Sequence, residues 1–124
     1  MKARELAVTP CALSDIRGFL EEHHYSHSVN GVKVSYCFRV SHEGLLVGGV
    51  LFGQLSTTAW KRFGDSEHKV LELRRLALLD AAGRNSESLV IGYSLRWLRK
   101  NAPGVEIVVS YADPAYGHTG VIYR

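Results

Sequence analysis

The chain has 124 residues, enough to bury a core in one domain and too few for two. Its 46% apolar and 22% charged content excludes a disordered or fibrous chain, and no apolar run approaches the ~20 residues of a membrane span. Fifteen Lys and Arg against twelve Asp and Glu give a net charge of +3, a mild bias toward an anionic partner such as nucleic acid or a phosphorylated cofactor.

Residues 5–8 read as a short strand, and Thr9-Pro10 as an N-cap followed by a first-turn proline, so a helix is expected over 10–24. Leu13, Ile16, Phe19 and Leu20 recur at helical spacing along it, opposite Asp15, Arg17, Glu21 and Glu22. Cys11 and Cys37 sit in unrelated contexts without a Cys-x-x-Cys partner, which indicates neither a disulfide framework nor a zinc site. With no secretory signal pattern, a reducing, cytoplasmic setting is expected. The helix ends in His23-His24-Tyr25-Ser26-His27, where adjacent imidazoles cannot share one helix face; a solvated helix end is favoured over a metal site, and no metal is expected.

Asn30-Gly31 turns the chain into a strand over 32–40, residues 41–44 form a turn, and 45–54 make the return strand of an antiparallel hairpin. Gly48, Gly49 and Gly53 in that strand indicate a bulge or a close ligand, or equally a structural twist. Residues 56–69 are polar and irregular. Within them Trp60-Lys61-Arg62-Phe63 interleaves rings with cations, a pattern suited to bases and phosphates, though more often a packing anchor with solvated neighbours.

The chain is organised around 71–100, which reads as a buried strand (71–79), a polar turn (80–86) and a helix (87–100). A helix that opens directly after a core strand aims unpaired N–H groups and its positive dipole end at the turn, where an anion would bind. Gly83, Arg84, Asn85, Ser86 and Ser88 can supply backbone, guanidinium and hydroxyl groups, although the turn carries neither the P-loop nor the dinucleotide glycine pattern. The plainer alternative is an ordinary, well-capped strand-to-helix turn. Asn101-Ala102-Pro103-Gly104 stops the helix, and a strand over 105–111 completes a right-handed parallel crossover. It delivers Tyr111 and Asp113, on one side together, to the carboxyl edge at which open α/β sheets place ligands. Residues 115–124 then begin a second helix, with no strand expected beyond it.

This order of elements is similar to that of the GNAT acyltransferases, with Glu72-Leu73-Arg74-Arg75-Leu76-Ala77-Leu78 in the place of the fourth strand and 83–88 in that of the pyrophosphate loop. The glycine-rich signature usual in that loop is absent, so this likeness rests on topology. More specifically, residues 72–76, 85–88, Ser110-Tyr111-Ala112-Asp113 and Gly117-His118-Thr119-Gly120 with Ile122-Tyr123-Arg124 resemble the phage Mom DNA-modification proteins, from about residue 25 onward. The resemblance implies an α/β, GNAT-like mixed sheet flanked by helices. It also implies acetyl-CoA as cofactor and conversion of the N6 amino group of adenine in duplex DNA to a methylcarbamoyl form, which protects phage DNA from restriction. Its implicated positions fall on His24, Tyr25, Arg75, Ser88, Asp113 and Tyr123.

In that scheme the backbone of Leu76, Ala77 and Leu78 holds the pantetheine arm, and Gly83, Arg84, Asn85, Ser86 and Ser88 hold the pyrophosphate. Asp113, with His118, is the candidate base and Tyr123 the candidate acid. His24, Tyr25, Tyr111, Trp60, Lys61 and Arg62 meet the DNA. The plainer roles are an ion pair with Glu72 or Asp113 for Arg75 and half-buried packing for Tyr123. Family members continue past Tyr-Arg with further strands. A single domain lacking its C-terminal strands is therefore expected, with an unfinished sheet edge beside 105–111 that self-associates into a homo-oligomer or leaves the fold poorly stable. The rival functions are a non-catalytic binding or inhibitor protein on the same scaffold and a GNAT acetyltransferase acting on a small-molecule or protein amine.

Overall fold

A computed structural model describes residues 6–23, 34–55, 59–79 and 86–110, and the backbone of 121–123. The elements are β1 (Ala7–Cys11), α1 (Leu13–His23), β2 (Tyr36–His42), β3 (Leu45–Gln54), β4 (Val70–Leu78), α2 (Ser86–Asn101), β5 (Ile107–Ser110) and β6 (Val121–Tyr123). One six-stranded sheet carries them in chain order. Every neighbouring pair is antiparallel except β4 and β5, which α2 connects as a parallel crossover.

Two boundaries differ from the sequence expectation for identifiable reasons. Thr9 and Pro10 belong to β1, opposite Arg39 and Phe38, and an edge strand tolerates a proline because the N–H that proline lacks is not needed on the side facing away from the ladder. Helix α1 therefore opens at Leu13, and Asp15 takes the capping role: its carboxylate accepts from Ala12 N–H at 3.0 Å while its own N–H donates to the Ala12 carbonyl at 3.0 Å. At the other terminus Val121–Tyr123 is a strand and not the start of a helix. It pairs Val108, Val109 and Ser110 of β5, so the edge expected to be unfinished has a neighbour.

The β2–β3 hairpin turns through Glu43 (φ 51°) and Gly44 (φ 83°), the paired left-handed conformation of a two-residue hairpin. Beyond it the sheet buries two faces. On one, Phe38, Val40, Val50, Phe52 and Leu71 pack with Val90 and Leu98 of α2; on the other, Cys37, Leu51 and Ala77 pack with Ile16 and Leu20 of α1. Gly48 and Gly49 exist for this packing and not for a ligand: a Cβ at Gly48 would collide with the Leu78 side chain and lie 2.9 Å from the Ala77 carbonyl, and one at Gly49 would lie 3.1 Å from Ile16 Cβ. The expected bulge in β3 is nonetheless present, because Val40 faces Gly48 while Ser41 faces Leu46, leaving Val47 as the extra residue.

Candidate active site

The central strand carries a bulge of its own. Leu51 faces Arg75 and Phe52 faces Leu73, so Arg74 is the inserted residue. In an unbroken strand Leu73 and Arg75 would share a face, and the arginine would enter the apolar layer beneath α2. With one residue inserted, Leu71, Leu73, Leu76 and Leu78 all reach the α2 core, while Ala77 reaches the α1 core. Both arginines are thereby set on the side of Glu72.

These groups form a half-buried polar cluster. Arg74 Nη1 donates to Glu72 Oε1 at 3.2 Å and to the Gln54 carbonyl at 3.3 Å, and Arg75 Nη1 donates to the Arg74 carbonyl at 2.7 Å. Burial pushes the Glu72 carboxyl above its ordinary value, and the attraction of Arg74 and Arg75 only partly opposes this. Sequence reasoning offered Glu72 or Asp113 as a partner for Arg75; the structure pairs Glu72 with Arg74 and keeps Arg75 near enough to attract its charge, while Asp113 lies outside the described residues. A carboxylate and two arginines within four residues of a buried strand was the signal in the sequence.

Among the described residues, strands β4 and β5 pair from Val70 with Ile107 to Glu72 with Val109. From Leu73 onward, β4 has a strand neighbour on the β3 side alone among the described residues: Leu76 faces Val50, Ala77 faces Gly49 and Leu78 faces Gly48. Alternate peptide groups of that stretch are aimed at the flank away from β3. A linear ligand bearing amide groups can add to such a flank as a strand would. Ala77 keeps the side-chain profile low beside it. Beyond residues 80–85, α2 begins at Ser86, which is 2% exposed, with Glu87 and the exposed Ser88 in its first turn.

Arg75, Leu76, Ala77 and Leu78 occupy the C-terminal half of β4, and Ser86 and Ser88 the first turn of α2, the next element in the chain. Trp60, Lys61 and Arg62 do not join them. They form a short 3₁₀ turn at the opposite end of β4, roughly 25 Å away at ~3.3 Å per residue. Trp60 and Phe63 pack onto Leu55 and Val70, with Lys61 Nζ 5.8 Å from the Trp60 ring centroid and the Arg62 guanidinium 5.8 Å from that of Phe63. Trp60 is partly buried in the packing role that was the plainer of its two sequence expectations, and Lys61 and Arg62 are exposed. His23 packs on Phe19, ring centroids 4.4 Å apart. His24, Tyr25, Gly83, Arg84, Asn85, Tyr111, Asp113 and His118 lie outside the described residues, and for Tyr123 the backbone alone is described.

No group of three or more metal-ligating side chains occurs among the described residues, and no helix among them is long and apolar enough to cross a membrane. An apolar cleft of about 210 Å³ between α2 and β5, lined by Leu95, Leu98, Val105 and Val108, lies away from the open flank.

The model of the Mom protein family matches residues 5–124. The chain belongs to that family. This Mom-family chain is 46% identical over 54 residues to the methylcarbamoylase mom of Escherichia phage Mu, a match spanning 44% of the chain and 22% of that protein. The chain thus matches about a fifth of the relative's length. Among solved structures it is similar to a GNAT family N-acetyltransferase (YhbS) from Escherichia coli in complex with CoA, with TM-score 0.65, 16% identity, and 91% and 66% of the two chains covered. It is also similar to a GNAT family acetyltransferase from Brucella melitensis in complex with acetyl-CoA, with TM-score 0.64, 13% identity, and 96% and 88% covered. The fold of this Mom-family chain is therefore a GNAT-like α/β sheet.

Proposed function

We propose that this chain is the acyl-CoA-binding and transfer domain of a Mom-type DNA-modifying enzyme, acting on the N6 amino group of adenine to give a methylcarbamoyl-type product. The observation that carries this reading is the Arg74 bulge in β4, which sets Glu72, Arg74 and Arg75 on one side of the central strand of a GNAT-like sheet, ahead of the helix that starts at Ser86. Both GNAT-fold structures described above hold CoA or acetyl-CoA, and the phage Mu relative is named a methylcarbamoylase.

The residues present fit such a cofactor. Peptide groups of Leu76, Ala77 and Leu78 can hydrogen-bond the amides of a pantetheine arm, and Gly83, Arg84, Asn85, Ser86 and Ser88 would hold the pyrophosphate at the positive end of α2. When bound, acyl-CoA supplies an activated thioester. The chain must then orient the acceptor amine, accept its proton and protonate the departing thiolate. Asp113, with His118, is assigned to the amine and Tyr123 to the thiolate. Arg75, beside the Arg74 bulge, would face the reacting groups.

To reach N6 the enzyme must take adenine out of the stack, at a cost of a few kcal/mol, and receive it on an aromatic face with a polar acceptor. Tyr25 and Asp113 supply those groups, with His24 and Tyr111 beside them in sequence. The chain is described again from Val34, and Ser35 N–H donates to the Phe52 carbonyl at 2.8 Å. That is the end of the sheet where Lys61 and Arg62 are exposed, so DNA approaches from there while the cofactor enters from the α2 side. The shared lone pair of the adenine amine makes it a weak nucleophile, which agrees with a product other than a simple acetamide.

Mass spectrometry of nucleosides from DNA co-expressed with the protein and with Asp113→Ala tests this reading. A heavier deoxyadenosine only in the unmutated sample is the expected result. Deoxyadenosine of ordinary mass in both would reject DNA modification and leave a non-catalytic binding protein on the same scaffold.

A further inference from the structure

Cys11 and Cys37, far apart in sequence, are directly opposed in the β1–β2 ladder and share the α1 face with Ile16, Leu20 and Leu51. Pro10 has no N–H to give β2, so Pro10 and Phe38 form a non-hydrogen-bonded pair, and the next pair, Cys11 with Cys37, is the hydrogen-bonded one. Such pairs hold their Cα atoms ~5.5 Å apart, inside the ~4.4–6.8 Å that a disulfide spans. Both residues are free thiols in the structure, Cys37 buried and Cys11 partly exposed. Burial raises both thiols above the ordinary value, Cys37 to about 11, and each lies close enough for a thiolate at Cys11 to oppose ionisation of Cys37. Asp15 and Arg39 are the other charges acting at this pair.

We propose that Cys11 and Cys37 are a covalent modification site that closes into a cross-strand disulfide when a low-molecular-weight disulfide is the oxidant. The more accessible Cys11 gives up its proton to water and attacks one sulfur of the oxidant, expelling one small thiolate and leaving a mixed disulfide on Cys11. Cys37 then loses its proton and attacks Cys11 Sγ, expelling the second small thiolate. The protein loses two protons and two electrons, and the oxidant takes them up to become two thiols. The ring so closed runs from residue 11 to residue 37 and contains all of α1 and residues 24–33, the segment that carries His24 and Tyr25. Closing it restricts the unfolded chain far more than the folded sheet, in which the partners already stand opposite each other.

The test is incubation of the intact protein with oxidised glutathione at mildly alkaline pH. The expected product is a monomer lighter by two hydrogens, without a glutathione adduct and without titratable thiol. Its thermal midpoint should rise by roughly 10 °C and return on reduction. Cys11→Ser should show no such rise. Two persistent thiols, two stable glutathione adducts, a disulfide-linked dimer, or a closed bridge that leaves the midpoint unmoved would each overturn the proposal.

Discussion

Glu72 shows how one inserted residue builds a site. Arg74, displaced from the ladder, reaches back to the Glu72 carboxylate and the Gln54 carbonyl, while Arg75 turns to the same side. Burial outweighs the attraction of the two arginines, so the folded-state pKa of Glu72 stands above its unfolded value. In the pH range just above 4.5 the unfolded chain has lost this proton and the folded chain keeps it, so Glu72 lowers stability as pH rises through that window. Glu72→Gln removes the dependence. Denaturant unfolding should therefore show the variant gaining on the parent protein between about pH 4 and pH 7; a gap that narrows over that range would contradict the burial-dominated account. The sequence displays Glu72, Arg74 and Arg75 together, but their pairing could not be read from it. Regular alternation sets Arg75 against the α2 core, and the bulge that prevents this depends on the partner strand β3.

At the scale of elements, the hairpin return strand, the central strand and the helix after it were legible because their apolar content and punctuation are local: β3 spans Leu45–Gln54, β4 Val70–Leu78 and α2 Ser86–Asn101. Two features were not. Thr9-Pro10 has good cap chemistry yet lies in β1, because pairing with β2 outweighs local preference. The three residues of β6 carry no periodic signal and are strand only through their pairing with β5. The glycines of β3 were legible as special and ambiguous as to cause; the structure assigns Gly48 and Gly49 to close packing. Gly48→Val tests this directly, since its side chain would meet Leu78, the Ala77 carbonyl and, at 3.2 Å, Val40 Cβ. Overpacking of this kind costs about 1–3 kcal/mol, read as a lowered denaturant midpoint. Leu78 lies on the open flank, so any acyl-CoA affinity should fall as well. An unchanged midpoint would show that β3 and β4 have room the packing denies them.

At the scale of the whole molecule, a chain of 124 residues organises a mixed sheet in which β4 runs from the end where Lys61 and Arg62 are exposed toward the end from which α2 starts. The proposed function puts the DNA at the first end and the cofactor at the second. The proposed cofactor site joins the flank of β4 to the turn at 80–86, the anion site expected from sequence; the strand register on which that flank depends was invisible there. Calorimetric titration of acetyl-CoA into the protein and into Arg84→Ala/Ser88→Ala tests this most directly. The account predicts saturable one-to-one binding that weakens by at least about 10-fold in the double variant, because two groups each contributing roughly 1 kcal/mol or more to the pyrophosphate are removed. Absence of binding to the unmutated protein, or equal affinity in the two proteins, would contradict it.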